Sequence, residues 1–106
     1  MRSTTLPMES FGKEAIDRHA KAQGISPSAV IQDAAVYYLA DRDRRRHAWS
    51  VPRFMRDEEQ RSAPDEELEV DIDEATWAAL EQEALRQAVS PVLLLRHAVL
   101  YFLADA

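Results

Sequence analysis

The residues of this chain that could do chemistry are charged side chains gathered in two stretches, rather than nucleophiles or metal ligands. Residues 42–56 hold six arginines and one aspartate, interleaved with aromatic residues. Glu67, Glu69 and Asp71 then alternate with apolar residues over a short stretch. An arginine cluster can bind phosphates or carboxylates, and a row of carboxylates can bind cationic groups. The chemistry that the sequence predicts is therefore ionic recognition.

Covalent catalysis and metal binding have no support in the sequence. The chain contains no cysteine, which excludes disulfides, thiol chemistry and cysteine–zinc sites. The histidines share no spacing with a carboxylate or hydroxyl that would suggest a metal site or a catalytic triad, and His97 is expected at the surface. The sequence also contains no glycine-rich phosphate loop. We therefore expect neither an enzyme nor a bound cofactor or metal.

The overall charge argues against nonspecific binding to nucleic acid. The 106 residues carry a formal net charge of −6, whereas phosphate-binding proteins usually have a basic surface. Residues 67–106 hold eight acidic and two basic groups, which accounts for the whole imbalance. The N-terminus has no apolar signal segment, and no stretch reaches the length of a membrane span. We expect a protein of the reducing cytoplasm with no membrane partner.

A shift of 64 residues aligns the two parts of the chain with each other. ISPSAVIQDAAVYYLAD at 25–41 aligns with VSPVLLLRHAVLYFLAD at 89–105, and seven of the seventeen pairs are identical. The alignment extends upstream without a gap, so that Leu6 matches Val70. Two helices of similar composition could align by chance, but here the helix starts, the apolar positions and the strand register agree under one shift. The sequence therefore predicts two diverged copies of one unit.

The row of carboxylates is predicted to lie on a strand, because residues 3–8 and 67–72 alternate between polar and apolar side chains. Strict alternation is the period of a strand with one buried face. Pro7 fits a strand end or an unpaired edge position, since it has no N–H to donate. The positions that alternate with the apolar face are Ser3, Thr5 and Pro7 in one strand and Glu67, Glu69 and Asp71 in the other.

Two helices are predicted to follow each strand. The first helices have apolar stripes with spacings of three and four, which are Phe11, Ala15, Ile16 and Ala20 in one copy and Trp77, Leu80 and Ala84 in the other. Asp73 suits an N-cap and Gly24 a C-terminal cap. The second helices begin with Ser-Pro at 26–27 and 90–91, which is a strong start signal. They are apolar on nearly every side, so the two copies must pack together to bury them.

This order, with the segment TLPMESFGKEAIDRHAKAQGISPSAVIQDAAVYYLAD, resembles the ribbon–helix–helix superfamily of bacterial repressors and antitoxins, the Arc and MetJ type. The resemblance covers residues 3–41 and, less closely, 67–105. It implies a mostly α fold, namely a tandem ribbon–helix–helix pseudo-dimer with a two-stranded antiparallel β-ribbon and four helices. The copies would be residues 1–42 and 67–106, which a charged connector at 43–66 joins into one folded body.

In that family the paired strands enter the DNA major groove, and the start of the second helix binds a backbone phosphate. The resemblance therefore implies a transcriptional regulator whose single chain binds double-stranded DNA as a pseudo-dimer. The implied ribbon contacts are Arg2, Ser3 and Thr5, and the implied phosphate contacts are Ser26, Ser28 and Ser90. A basic arm that adds affinity would comprise Arg44, Arg45, Arg46, Arg53 and Arg56.

The second ribbon strand departs from the family pattern and favours another interpretation. Glu67, Glu69 and Asp71 would face the phosphate-lined groove and be repelled. The alternative is a degenerate, antitoxin-like or DNA-mimicking module that does not bind DNA and docks a basic protein through these carboxylates. Because like charges directly opposite each other are destabilising, pairing of the two strands within one chain is favoured. A homodimer of pseudo-dimers stays open, since the second helices are wider in apolar area than one pseudo-dimer needs.

The connector allows two interpretations. Its arginines fit a binding arm and equally fit a complement to the negative end of the preceding helix dipole. Its apolar and aromatic residues either belong to the same arm or pack over the central helices, and packing is slightly favoured. These residues are Trp49, Val51, Phe54 and Met55.

Overall fold

The computed structural model describes residues 2–43, Val51 and residues 66–105. Its element order is β1 (Arg2–Met8), α1 (Ser10–Gln23), α2 (Pro27–Asp43), β2 (Glu66–Ile72), α3 (Glu74–Gln87) and α4 (Pro91–Asp105). The described part of the chain is therefore mostly helical with one two-stranded antiparallel sheet, as predicted. The arm arginines and three apolar connector residues lie outside the described residues; these are Arg44, Arg45, Arg46, Arg53, Arg56, Trp49, Phe54 and Met55.

The two strands pair with each other within one chain, as the charge argument predicts. Their antiparallel ladder has Thr5 opposite Glu69 at its centre. These two residues lie 64 positions apart, so the shift that aligns the copies also relates the two central residues of the ladder. The pairing is symmetric about this point, because Arg2–Ile72 at one end corresponds to Met8–Glu66 at the other.

The core lies between the inner face of the ribbon and the second helices. Leu6 and Met8 of β1 and Val70 and Ile72 of β2 are almost completely buried. Helix α2 packs against β2, α4 packs against β1, and α2 and α4 contact each other. Each large apolar side chain buried in this way contributes roughly 1.5–3 kcal/mol. The second helices are thus the central elements, as their uniform hydrophobicity predicts.

The predicted apolar stripe of α1 is wrong at Phe11, whose side chain is 68% exposed. The buried residues of this helix are Gly12, Ile16 and Ala20. A Cβ atom at Gly12 would lie only 2.6 Å from Sδ of Met8, so the glycine leaves room for the buried methionine of the ribbon. In α3, by contrast, the predicted stripe is buried along its length; it consists of Trp77, Leu80 and Ala84.

The expected surface position of His97 is also wrong, because only 6% of the residue is exposed. Its ring packs edge-to-face against Tyr38, with a distance of 5.4 Å between ring centroids. Tyr37 and Tyr101, which the 64-residue shift relates, have centroids 6.0 Å apart. The related pairs Tyr38–Tyr101 and Tyr37–Phe102 have centroid distances of 5.7 and 5.5 Å. The crossing of α2 and α4 is therefore an aromatic cluster, and the imidazole belongs to it as an aromatic ring.

The connector reaches the core at Val51, which is 3% exposed, as the packing interpretation predicts. Its backbone N–H donates to Oε1 of Gln87 at 2.9 Å, and Nε2 of Gln87 donates to the Tyr38 hydroxyl at 2.9 Å. Gln87 is buried, whereas its equivalent in the first copy, Gln23, is exposed. One carboxamide thus satisfies a buried N–H and a buried hydroxyl, and it ties the connector to α2 and α3.

Both first helices end in a left-handed residue at the same position of the repeat. Gly24 has a φ of 68°, as its cap role predicts, and Ala88 has a φ of 58°. In each case the next residue donates its N–H to the carbonyl five residues back, at 3.0 Å. Glycine adopts this conformation freely, whereas alanine has a steric clash between Cβ and the backbone. The second copy therefore has a strained cap that the first lacks.

We predict opposite effects for two reciprocal substitutions at these caps. Ala88→Gly should raise the free energy of unfolding by about 0.5 kcal/mol, because relief of the clash exceeds the entropy that glycine adds to the unfolded chain. Gly24→Ala should lower it by about 1 kcal/mol. Urea unfolding followed by circular dichroism measures both. Destabilisation of similar size by both substitutions would contradict a shared left-handed cap.

Candidate binding surface on the ribbon

The register of the ladder places the six positions predicted to face away from the core on one outward surface, which we call the ribbon face. Its three opposed pairs are Ser3–Asp71, Thr5–Glu69 and Pro7–Glu67. All but Pro7 are exposed to solvent, and Pro7 is partly buried. One strand therefore offers two hydroxyls and a proline, and the other offers three carboxylates. The sequence correctly predicted both the membership of this face and the opposition of hydroxyls to carboxylates.

A shallow depression of about 340 Å³ lies over the ribbon face, lined by Ser3, Thr4, Thr5, Glu69 and Asp71. Within it the Ser3 hydroxyl donates to Oδ1 of Asp71 at 2.6 Å. That hydroxyl was predicted to contact a base edge, and in this structure its proton is directed to the opposite strand's carboxylate. The depression therefore presents chiefly acceptor atoms and negative charge to whatever enters it.

The carboxylates of β2 form an evenly spaced row. Side chains two residues apart on a strand lie roughly 7 Å from each other on the same face, so Glu67, Glu69 and Asp71 project side by side. None of the six residues of the ribbon face is basic. Because the row spans less than two Debye lengths at physiological salt, roughly 8 Å each, its charges act on a nearby ligand together.

Arg2, the predicted cationic contact of the ribbon, lies on its inner side. It is opposite Ile72 in the ladder, and alternation assigns both residues to the face that carries the core. Its Cζ atom is 4.9 Å from the ring centroid of Trp77, a residue that is only 5% exposed. Such a cation–π contact contributes roughly 0.5–1 kcal/mol at an exposed site. Arg2 thus covers a tryptophan and does not balance the carboxylates of the ribbon face.

Ser28, one of the predicted phosphate contacts, is hydrogen-bonded to the backbone of β2. Its Oγ accepts the backbone N–H of Asp71 at 3.1 Å, across the boundary between the two halves. The equivalent residues on the other side are Val92 and Pro7. Val92 has no side-chain acceptor and Pro7 has no backbone N–H to donate. The missing acceptor therefore leaves no donor unpaired on this side of the ribbon. Each residue is visible in the sequence by itself, but the relation between them becomes visible only when the halves face each other.

The other two predicted phosphate contacts cap the second helices. Oγ of Ser26 accepts the N–H of Ala29, and Oγ of Ser90 accepts the N–H of Leu93, both at 3.1 Å. This confirms the Ser-Pro start signal in both copies. An anion bound at either helix start would compete with these serine oxygens for backbone donors. All three predicted serines are therefore acceptors in bonds within the chain.

Gln32 and Arg96 are equivalent in the repeat, and each forms a hydrogen bond to the junction between a strand and the helix that follows it. Gln32 accepts the N–H of Asp73 at 3.0 Å and donates to Oγ1 of Thr76 at 3.1 Å. Asp73 lies at the N-cap of α3 as predicted, although its carboxylate accepts from the Thr76 hydroxyl rather than from a helix N–H. At the other junction Arg96, the equivalent of Gln32, donates to Glu9 at 3.3 Å. In the sequence these two residues are only polar interruptions of an apolar helix.

Comparison with known proteins adds no relative. The chain matches no protein-family model, and no curated protein or solved structure is detectably similar to it. Among the described residues, no group of three histidine, aspartate or glutamate side chains is arranged to hold a metal ion. In the same part of the chain no single helix is long and apolar enough to cross a membrane, although α3 and α4 together, bent by 100°, have the required length and composition.

The Ser28 contact generates a prediction with a matched control. Ser28→Ala should lower the free energy of unfolding by about 0.5–1 kcal/mol, and it should speed hydrogen exchange of the Asp71 amide, because that N–H loses its acceptor. Val92→Ser should give no compensating gain, since Pro7 offers no donor to the new hydroxyl. Amide exchange followed by NMR measures the first effect at its own residue. Unchanged exchange at Asp71 in Ser28→Ala would show that the bond is not formed in solution.

Proposed function

We propose that this chain is a single-chain ribbon–helix–helix pseudo-dimer whose ribbon face docks a basic segment of a partner protein. The observation that carries the proposal is the exposed row of Glu67, Glu69 and Asp71, on a face that contains no basic residue. The likeness to ribbon–helix–helix proteins suggests the architecture, and the charge on the face suggests the class of ligand.

The tandem architecture has support from features that recur at one spacing. The strands, the first helices, the left-handed caps and the starts of the second helices all recur 64 residues apart. The centre of the ladder and the aromatic pairs at the helix crossing obey the same relation. A fold with a two-fold axis through the ribbon and the helix crossing would have these properties. The architecture of ribbon–helix–helix dimers, with strands paired and second helices in contact, is of this kind.

DNA is a poor ligand for the ribbon face on physical grounds. The major groove presents mostly acceptors at purines and is lined by phosphates. A ribbon that enters it needs donors and positive charge, yet Ser3 already donates to Asp71 and Arg2 lies over Trp77. Three carboxylates within the groove would be repelled by the phosphates on either side. These residues favour docking of a basic protein segment over DNA binding. A DNA-binding regulator is therefore the second candidate function.

The spacing of the row suggests the form of the ligand. An extended segment has side chains on one face roughly 7 Å apart, the same interval as the carboxylates of β2. Lysines or arginines at alternate positions of such a segment could each meet one carboxylate. Exposed ion pairs contribute little individually, about 0–1 kcal/mol, so affinity would come from several pairs formed together. We therefore expect a salt-sensitive interaction with an extended basic peptide.

Fluorescence anisotropy distinguishes the two candidates. The probes are a short labelled peptide in which lysine alternates with serine, and a labelled duplex of mixed sequence, each at low and at physiological salt. We expect the peptide to bind the wild-type protein at low salt and to weaken as salt rises. The triple variant Glu67→Lys, Glu69→Lys, Asp71→Lys should lose this binding.

A second triple variant controls for net charge. Glu14, Asp17 and Glu81 are exposed and lie off the ribbon, so their replacement by lysine changes the total charge equally and should leave peptide binding in place. Equal loss of binding in both triple variants would reject the ribbon face as the docking surface. Binding of the wild-type protein to the duplex at micromolar affinity or tighter, with a steep negative salt slope, would establish the DNA-binding regulator instead.

A further inference from the structure

We infer that each half of this chain is built to recognise the other half and not a copy of itself, so that the ribbon closes within one chain. The repeat and the contacts between the halves support this pairing, whatever the ribbon face binds. Three sets of contacts join unlike partners, and each is lost or becomes repulsive in at least one of the two like pairings.

The ladder itself discriminates between like and unlike strands. Two copies of β2, paired about Glu69, would set Glu69 opposite Glu69 and Glu67 opposite Asp71, with six carboxylates on one face. Opposed like charges destabilise a strand pair. In the observed ladder each carboxylate instead faces a hydroxyl or a proline, and Ser3 donates to one of them. The second half therefore cannot pair with itself without strong repulsion.

The contact between the second helix and the opposite strand also requires unlike halves. Ser28 accepts the N–H of Asp71. If the first half paired with itself, Ser28 would face Pro7, which has no N–H. If the second half paired with itself, the N–H of Asp71 would face Val92, which has no acceptor. The Ser28 hydroxyl and the Asp71 N–H therefore each find a hydrogen-bond partner only in the other half.

Two further side chains meet partners that only the other half provides. Arg2 of the first half lies over Trp77 of the second, and the first half has Lys13 at the equivalent of Trp77. Self-pairing of the first half would thus bring Arg2 beside a lysine. Gln32 of the first half accepts a backbone N–H at the start of α3. Its equivalent Arg96 has only donors and could not accept that N–H.

A residue of the connector also takes part in the contact between the halves. Val51 is buried, and its N–H donates to the carboxamide of Gln87, which also donates to Tyr38. A residue of the connector is thus fixed at the contact between α2 of the first half and α3 of the second. Val51 belongs to the same core as residues of both halves.

Disulfide trapping tests the inference directly, because the chain has no cysteine of its own. The N–H of Asp71 points to Ser28 and not across the ladder, so Ser3–Asp71 is a non-hydrogen-bonded pair. Thr5–Glu69, two residues along, has the same geometry, with Cα atoms roughly 4.5 Å apart. That separation lies within the range of a disulfide. Thr5 and Glu69 also occupy the centre of the ladder, where like pairing would put each residue against itself.

Three variants of the full chain and one control variant are oxidised with oxidised glutathione and examined by non-reducing electrophoresis and mass spectrometry. The double variant Thr5→Cys, Glu69→Cys should form an intrachain disulfide, seen as a monomer that has lost two hydrogens. The single variants Thr5→Cys and Glu69→Cys should form disulfide dimers no faster than Asp33→Cys, a control at an exposed position off the ribbon. Glu69→Cys is the more demanding test. The substitution removes the central carboxylate of each strand, so it weakens the repulsion that should prevent two copies of β2 from pairing.

Two outcomes would overturn the inference. Rapid dimer formation by either single variant relative to Asp33→Cys would show that like halves pair between chains. Interchain disulfides as the main product of the double variant would show that the halves exchange between chains. Because no ligand is present in this experiment, its result is independent of the peptide and DNA binding measurements.

Discussion

The burial of two helices that are apolar on nearly every side is the constraint on which the rest of this structure depends. Neither α2 nor α4 can be covered by the one strand and one helix that precede it, because a unit of roughly 40 residues is too small to enclose such a helix. Each must therefore pack against the other, with the inner face of the ribbon completing the core. Once the helices cross, the two strands lie side by side and their outward residues become a surface.

The two halves keep the same apolar framework and differ in their polar groups. At the helix crossing, related aromatic pairs have nearly the same spacing. At the ribbon and its junctions, by contrast, a hydroxyl in one half corresponds to a carboxylate or a valine in the other. Several of these differences are matched across the boundary, as with Ser28 and Asp71 against Val92 and Pro7. Because both halves belong to one chain, each position meets only one partner, and residues related by the 64-residue shift can differ.

The sequence could predict the elements, the ribbon pairing and the ribbon face, because alternation, helix spacing and Ser-Pro starts are local signals. Alternation places Arg2 on the inner face of its strand, but the sequence could not predict its contact with Trp77, because that tryptophan lies in the other half. His97 was expected at the surface because histidine is a polar residue. In the structure it is buried, and its imidazole packs as an aromatic ring. The predicted burial of Phe11 was also wrong. The face of α1 that meets the ribbon carries Gly12 instead, which leaves room for Met8. For Arg2 and His97 the deciding partner is distant in sequence.

An intrachain ladder centred on Thr5 and Glu69 positions every surface described above, and one NMR measurement examines that pair most directly. In a non-hydrogen-bonded antiparallel pair the two Hα atoms point at each other. A mixture of isotopically labelled and unlabelled chains separates contacts within a molecule from contacts between molecules. The account predicts a strong Hα–Hα Overhauser effect between Thr5 and Glu69 of the same labelled chain. Its absence, or its appearance only between labelled and unlabelled chains, would contradict the account.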